Sequence, residues 1–181
     1  CTTDAYTDNY RERRQYAQTG YYGGKYSLFE AGNHVPFFSY LEGKIQPGVS
    51  DEIVSQLDLF SSLAQLVGSD IRTDDSLPLL DLLMGNTDVG RENLVIEATS
   101  RTAYRQGDWV MIPPYDGPAS NDNVKIELGS APTFQLYNLA EDINQQNNLA
   151  SAMPEKLSEM LAAFETIRGD DYRKTEKLEL K

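Results

Sequence analysis

The sequence predicts a stretch of α/β structure followed by a small antiparallel sheet packed by a C-terminal helix. Three observations predict it. Apolar residues recur at helical spacing twice, at Leu59, Phe60, Leu63, Leu66 and Val67 and again at Leu157, Met160, Leu161, Phe164 and Ile167. Between these two segments, short strand-like runs alternate with clusters of Gly, Pro, Asn, Asp and Ser, the texture of an antiparallel meander. With 181 residues, 40% of them hydrophobic and 24% charged, the chain suits one domain, or one domain and an appendage, with a real core.

Taken in order, residues 1–24 are polar and tyrosine-rich, carry Arg11, Arg13 and Arg14, and end in Gly23-Gly24, which reads as a long loop. Residues 35–41 (Val-Pro-Phe-Phe-Ser-Tyr-Leu) read as a buried strand opened by proline, and residues 52–55 as a second short strand. Asp58 is placed to cap the first amphipathic helix and Gly68 to end it. Residues 76–84 form a compact apolar turn or short helix ended by Gly85. Strand-like runs follow at 93–98, 102–105, 108–113, 123–128 and 133–139. The last helix covers 154–168, with Pro154 in its first turn and Gly169 just past its end, and an antiparallel sheet is the natural partner for its apolar stripe. The charged residues beyond it are expected to fray. The change of texture divides the chain into residues 1–90 and 91–181.

Composition closes several functional classes. There are 16 Lys+Arg against 28 Asp+Glu, a formal charge of −12, so a basic groove tracking phosphates is not expected and nucleic acid is an unfavoured partner. No run approaches the ~20 apolar residues that span a bilayer, and no basic and apolar leader opens the sequence. One Cys, Cys1, and one His, His34, leave no intrachain disulfide and no Cys/His zinc cluster. A Ser-His-Asp site would need His34, and no Gly-x-Ser-x-Gly elbow exists. Beginning without Met in polar sequence, the chain reads as a piece of something longer, Cys1 being its first residue, a processed terminus or a lipid-attachment site.

Residues 23–37, Gly-Gly-Lys-Tyr-Ser-Leu-Phe-Glu-Ala-Gly-Asn-His-Val-Pro-Phe, resemble the "GGK-x-S-x-[YF]-E-[GA]-G-x-R-V-P" segment of formylglycine-dependent (type I) sulfatases of the arylsulfatase-like kind. Further matches follow in family order: Gly43-Lys44-Ile45 with Pro47-Gly48-Val49-Ser50-Asp51, then Val54-Ser55-Gln56-Leu57-Asp58-Leu59-Phe60, then residues 77–85 as an "LPLLLG" turn. Arg105-Gln106-Gly107-Asp108-Trp109 resembles the "R-x-GDW" hairpin, and Gln135-Leu136-Tyr137-Asn138-Leu139 with Glu141-Asp142, Asn148-Leu149 and Pro154-Glu155 the closing segment. Each piece is weak and the collinear set is specific.

The resemblance implies the C-terminal portion of an alkaline-phosphatase-like sulfatase fold. The complete enzyme would hydrolyse sulfate esters of small molecules or glycans with a formylglycine nucleophile and Ca²⁺. The nucleophile motif and the first metal aspartates would lie in the N-terminal half, a partner this chain requires; alone it would be inactive. Cys1-Thr2-Thr3-Asp4-Ala5 lacks the Pro/Ala and Arg of the nucleophile motif. Asp4-Ala5-Tyr6 reads either as a degraded second metal pair or, with Tyr6-Thr7-Asp8, as the loop after it. The second register leaves this chain with no metal ligand.

By the same resemblance Lys25 is the catalytic lysine that reaches toward the sulfate and leaving-group oxygens. It sits after two glycines that permit close backbone approach. His34, where the family has Arg, is carried over as a substrate-binding residue beside Lys25; the alternative is a half-buried histidine bonded to backbone. Glu30 is expected to order the loop by accepting backbone hydrogen bonds, and Trp109 to fill the hairpin core. Tyr22 for Arg, Leu41-Glu42 for Trp-Pro, Val110 for Lys, and a polar stretch at 13–18 for a His-Lys pair depart from the family near the expected substrate rim. The departures at Ala5, His34 and Val110 motivate one alternative, a truncated or decayed, non-catalytic binding module. Another is a phosphoryl-transfer relative, disfavoured because a second metal needs more His and Asp ligands. Family habit implies a periplasmic or secreted protein.

Overall fold

The computed structural model describes residues 21–123 and 125–168. They fall into two units, one joining 21–35 to 95–168, the other Pro36–Leu94. The division expected after residue 90 is a single cut along the chain. Along the chain the second unit lies between the two parts of the first, and residues 21–35 fold with the later sheet.

In the first unit, β1 (Asn93–Ala98), β2 (Arg101–Gln106), β3 (Trp109–Ile112) and β6 (Gln135–Asn138) form one sheet in the order β1-β2-β3-β6. A second, two-stranded sheet pairs β4 (Ser120–Asn121) with β5 (Ile126–Glu127). These strands lie within, or within one residue of, the runs expected from composition, apart from β4. The turn from β1 to β2 uses only Thr99 and Ser100, at φ 48° and 66°, the doubly positive pattern whose twist suits a hairpin. The next hairpin closes over Gly107 and Asp108, setting Gln106 opposite Trp109 and Tyr104 opposite Met111. Strand β3 then pairs antiparallel with β6 from Trp109↔Asn138 to Ile112↔Gln135.

Val110, Met111 and Ile112 are all buried, so both faces of β3 are covered, since successive side chains point to opposite sides. On one face, α4 (Pro154–Arg168) sets Met160 and Phe164, spaced i and i+4 and fully buried, against Tyr104, Met111 and Leu136. Each such side chain contributes roughly 1.5–3 kcal/mol by burial. Trp109 packs against this core only partly buried, with Lys156 Nζ 5.6 Å from its ring centre. Ile167, expected on the same stripe, is 53% exposed.

The opposite face is covered by the segment that begins the unit. A Cβ added to Gly129 would meet Leu28 Cβ at 3.0 Å and Ile112 Cδ1 at 3.6 Å, which places Leu28 against the side of β3 turned away from α4. Leu28 N–H donates to the Leu128 carbonyl at 3.2 Å, and the Phe29 ring lies 6.1 Å from that of Tyr137.

The second unit holds α2 (Asp58–Leu66) and α3 (Leu80–Leu83). Helix α2 is amphipathic as expected, but its buried residues are Asp58, Ser61 and Ser62. Phe60, Leu63, Leu66 and Val67 are exposed, Val67 at 79%. Polar partners explain the inversion. Ser61 N–H donates to Ser76 Oγ at 2.9 Å and Ser61 Oγ to the Ser76 carbonyl at 3.0 Å, while Leu79 N–H donates to Ser62 Oγ at 2.9 Å. Asp58 is the first helical residue rather than the cap; its carboxylate accepts from Ser55 N–H, Leu77 N–H and Arg91.

Two expected strands are absent from this unit. Residues 35–41 carry no regular secondary structure and are exposed, with Phe38 at 86% and Tyr40 at 80%, and no described strand pairs with them. Residues 52–55 also lack a ladder; Ile53 and Glu52 instead accept from Arg91 N–H and Gly90 N–H. The expectations about the loop before Tyr21, Cys1, Asp4 and Ala5 lie outside the described residues.

Candidate functional site

The segment 21–34 is built around a tight turn. Ser27 N–H donates to the Gly24 carbonyl at 2.9 Å, which puts Lys25 and Tyr26 at the two central positions. Tyr26 has φ 78°, a left-handed conformation that bulky residues avoid at a cost of order 1–3 kcal/mol. Lys25 is exposed, with its Nζ 5.1 Å from the centre of the Tyr26 ring. The turn thus carries a cation outward on a strained backbone.

The flanking glycines are there for space. A Cβ on Gly23 would lie 2.5 Å from Ser27 Oγ, and one on Gly24 would lie 3.1 Å from Ile126 Cδ1 on β5. The tightest position is Gly32 in the short helix α1 (Glu30–Asn33), where a Cβ would sit 2.2 Å from the Ser27 carbonyl oxygen and 2.8 Å from that of Gly24. Asn33 Nδ2 adds donations to the Ser27 and Phe29 carbonyls, both at 3.2 Å. The motif is a clasp in which α1 closes on the lysine turn.

Glu30 differs from expectation. Among the described residues no backbone N–H donates to its carboxylate; it is buried, at 4% exposure, between two side-chain cations or donors. Arg105 Nη1 lies 3.3 Å from Oε2 and 3.4 Å from Oε1, and His34 Nδ1 lies 3.1 Å from Oε2. Glu30 N–H donates to Gln145 Oε1 at 2.8 Å. His34 is therefore held through its side chain, with Tyr21 stacked on the ring at 4.6 Å, and its side chain is 48% exposed. Lys25 and His34 thus belong to one clasp, though no direct contact joins them. Of Arg105, Gln145 and Tyr21, which complete the clasp, only Arg105 carries a signal in sequence, the Arg-x-Gly-Asp-Trp string.

Behind the clasp, Tyr137 donates to Gln135 Oε1 at 2.8 Å, and burial first, then the neighbouring Tyr22 and Asp142, push its hydroxyl up to about 12. On the same sheet, burial lowers the Arg101 pKa, and its guanidinium donates to Ser130 Oγ and Thr99 Oγ1.

No three His, Cys, Asp or Glu side chains converge among the described residues. A calcium ion takes 6–8 oxygen ligands, several of them usually carboxylates, and the described residues offer no such cluster.

The Sulfatase family model matches residues 5–69. The N-acetylgalactosamine-6-O-sulfatase of Bacteroides thetaiotaomicron is 36% identical over an alignment of 171 positions that covers 91% of this chain and 34% of that protein. The chain belongs to the sulfatase family. Arylsulfatase A of Bos taurus is 29% identical to this sulfatase chain, covering 80% of it and 31% of the relative. A solved structure reported under metabolism of multiple glycosaminoglycans by Bacteroides thetaiotaomicron superposes with TM-score 0.79 at 34% identity, covering 88% of this chain and 35% of that one. The fold is accordingly of the alkaline-phosphatase-like sulfatase kind, with a small antiparallel sheet and C-terminal helix. This sulfatase chain spans about a third of the length of the curated relatives it matches. No described helix is long and apolar enough to cross a membrane.

Proposed function

We propose that this chain supplies the lysine turn of a sulfate-ester hydrolase whose nucleophile and Ca²⁺ site are completed by residues outside it. The observation that carries the reading is the turn itself: Lys25 exposed at the tip, Tyr26 held at φ 78°, and Gly32 pressed against the turn's own carbonyls. Strain maintained by a tight clasp is characteristic of a group held for chemistry.

Hydrolysis of a sulfate ester shifts negative charge onto sulfuryl oxygens and the leaving oxygen. A preorganised ammonium facing those oxygens lowers the barrier because it needs no reorganisation as charge develops. Lys25 is that group, bound as a point charge to the anionic substrate, and His34 lies on the substrate side of the same clasp. A formylglycine carried by residues outside this chain would supply the covalent chemistry, and Lys25 the stabilisation of developing charge. With a net charge of −12, the chain offers no general attraction to an anion, so attraction is local, to Lys25 and to a metal held by residues outside the chain. The substrate class is a sulfated glycan such as an N-acetylgalactosamine 6-sulfate unit, which the name of the 36% identical relative supports. The partner is the N-terminal half of the enzyme, and the outward apolar face of α2 supports a covering body there. The location is periplasmic or extracellular.

Assay of the complete gene product against N-acetylgalactosamine 6-sulfate and an aryl sulfate tests this. Metal-dependent sulfate release is expected, with none from the chain alone. Turnover of phosphate monoesters without sulfate release would refute it.

A further inference from the structure

We propose that Glu30 is a positioning residue that fixes the tautomer of His34 and turns its Nε2 into an acceptor for a sugar hydroxyl; the ligand part rests on the sulfated-glycan reading above. The Arg105 guanidinium, which can only donate, faces both oxygens of the Glu30 side chain, at 3.4 and 3.3 Å. A carboxylate so paired is an acceptor only, so the 3.1 Å contact with His34 Nδ1 requires the proton on Nδ1. In the neutral ring the lone pair then resides on Nε2, on the side of the ring away from Glu30.

The rest of the clasp holds this arrangement. Gln145 Oε1 accepts from Glu30 N–H, fixing the start of α1, and His34 N–H donates to the Glu30 carbonyl at 2.7 Å, fixing its end. Arg105 is tied in turn by donation from Nε to the Gly107 carbonyl at 3.0 Å. Tyr21 stacks on the imidazole with 22° between the planes, restricting its rotation. The ring is nevertheless 48% exposed while Glu30 is 4% exposed, so the acid is the buried support and the imidazole the presented group. The arrangement resembles the outer-shell logic by which a carboxylate on one ring nitrogen sets what the other can do. A sugar hydroxyl is a donor that a lone pair on Nε2 can receive, whereas the Arg usual at this position could only donate.

His34 is the one histidine of the chain, so its ring nitrogens give unambiguous signals in ¹⁵N-labelled protein. Long-range ¹H–¹⁵N spectra of the whole chain at pH 8 are expected to show the Nδ1–H tautomer, and Glu30→Gln to shift the population toward Nε2–H. An Nε2–H tautomer in the unsubstituted chain overturns the proposal. Adding millimolar N-acetylgalactosamine 6-sulfate is expected to shift Nε2 more than Nδ1, and the unsulfated sugar is the control. An Nδ1–H tautomer with no response to either sugar overturns the ligand assignment. Neither spectrum depends on sulfate release, so failure here is distinguishable from failure of the sulfatase reading.

Discussion

Arg91 grips Asp58 with two parallel hydrogen bonds, Nε to Oδ2 at 2.7 Å and Nη2 to Oδ1 at 2.5 Å, across 33 residues of sequence. The Asp58 side chain is 2% exposed and that of Arg91 11%. A buried charge left without its partner is expensive, so Arg91→Ala is expected to destabilise the second unit by about 3–5 kcal/mol. Replacing both residues by apolar ones of similar volume should cost less than removing the arginine alone. Urea denaturation of the three proteins checks the order.

Gly32→Ala should disturb the lysine turn far more than Gly48→Ala. The added Cβ would meet the Ser27 carbonyl oxygen at 2.2 Å in the first case and nothing within 4 Å in the second. Overpacking against backbone costs roughly 1–3 kcal/mol, while an open surface site stays within about 0.5 kcal/mol. Thermal melts measure the costs, and amide shifts at Lys25 and Tyr26 report the turn. Equal effects of the two substitutions would count against the clasp.

The inverted helix α2 gives opposite outcomes on its two faces. Leu63→Lys replaces a side chain that is 53% exposed and should change stability by no more than about 0.5 kcal/mol, while reducing binding of a hydrophobic dye. Ser62→Leu at a fully buried position removes the acceptor of Leu79 N–H and should destabilise by about 1–3 kcal/mol. Dye fluorescence and denaturation of both variants test the orientation; a large loss from Leu63→Lys would contradict it.

Tyr137 predicts an alkaline limit. Its folded pKa is raised from 10.0 to about 12, so between those values the folded state holds a proton the unfolded chain has lost. Its contribution to stability is intact below pH 10 and falls as pH rises toward 12. Tyr137→Phe should flatten that slope relative to the unsubstituted chain, as denaturation midpoints at several alkaline pH values would show.

Much of the first unit was legible in sequence because its signals are local. Period-two runs and turn residues mark β1 to β3, and the 3.6-residue stripe marks α4, with Met160 and Phe164 in the core as spaced. The second unit was less legible. The apolar stripe of α2 says only that two faces differ; which one turns inward is decided by Ser61 and Ser62 finding partners at residues 76–79. Residues 35–41 have strand composition, yet a strand also needs a neighbour to pair with. For the site, the Gly-Gly-Lys string marks the residues that form the turn, in which Tyr26 stands at φ 78°. Gln145 was beyond reach because it meets Glu30 across 115 residues and belongs to no pattern. Expecting Glu30 to accept from backbone missed Arg105 for the same reason, 75 residues away.

The central claim is that Lys25 faces the reacting sulfate. Single-turnover and steady-state sulfate release by the complete enzyme, with and without Lys25→Ala, tests it most directly. A fall in kcat of about 10²–10³-fold, with the fold retained by circular dichroism, is expected for removal of one preorganised charge-stabilising group. A variant that releases sulfate at the unsubstituted rate would contradict the account.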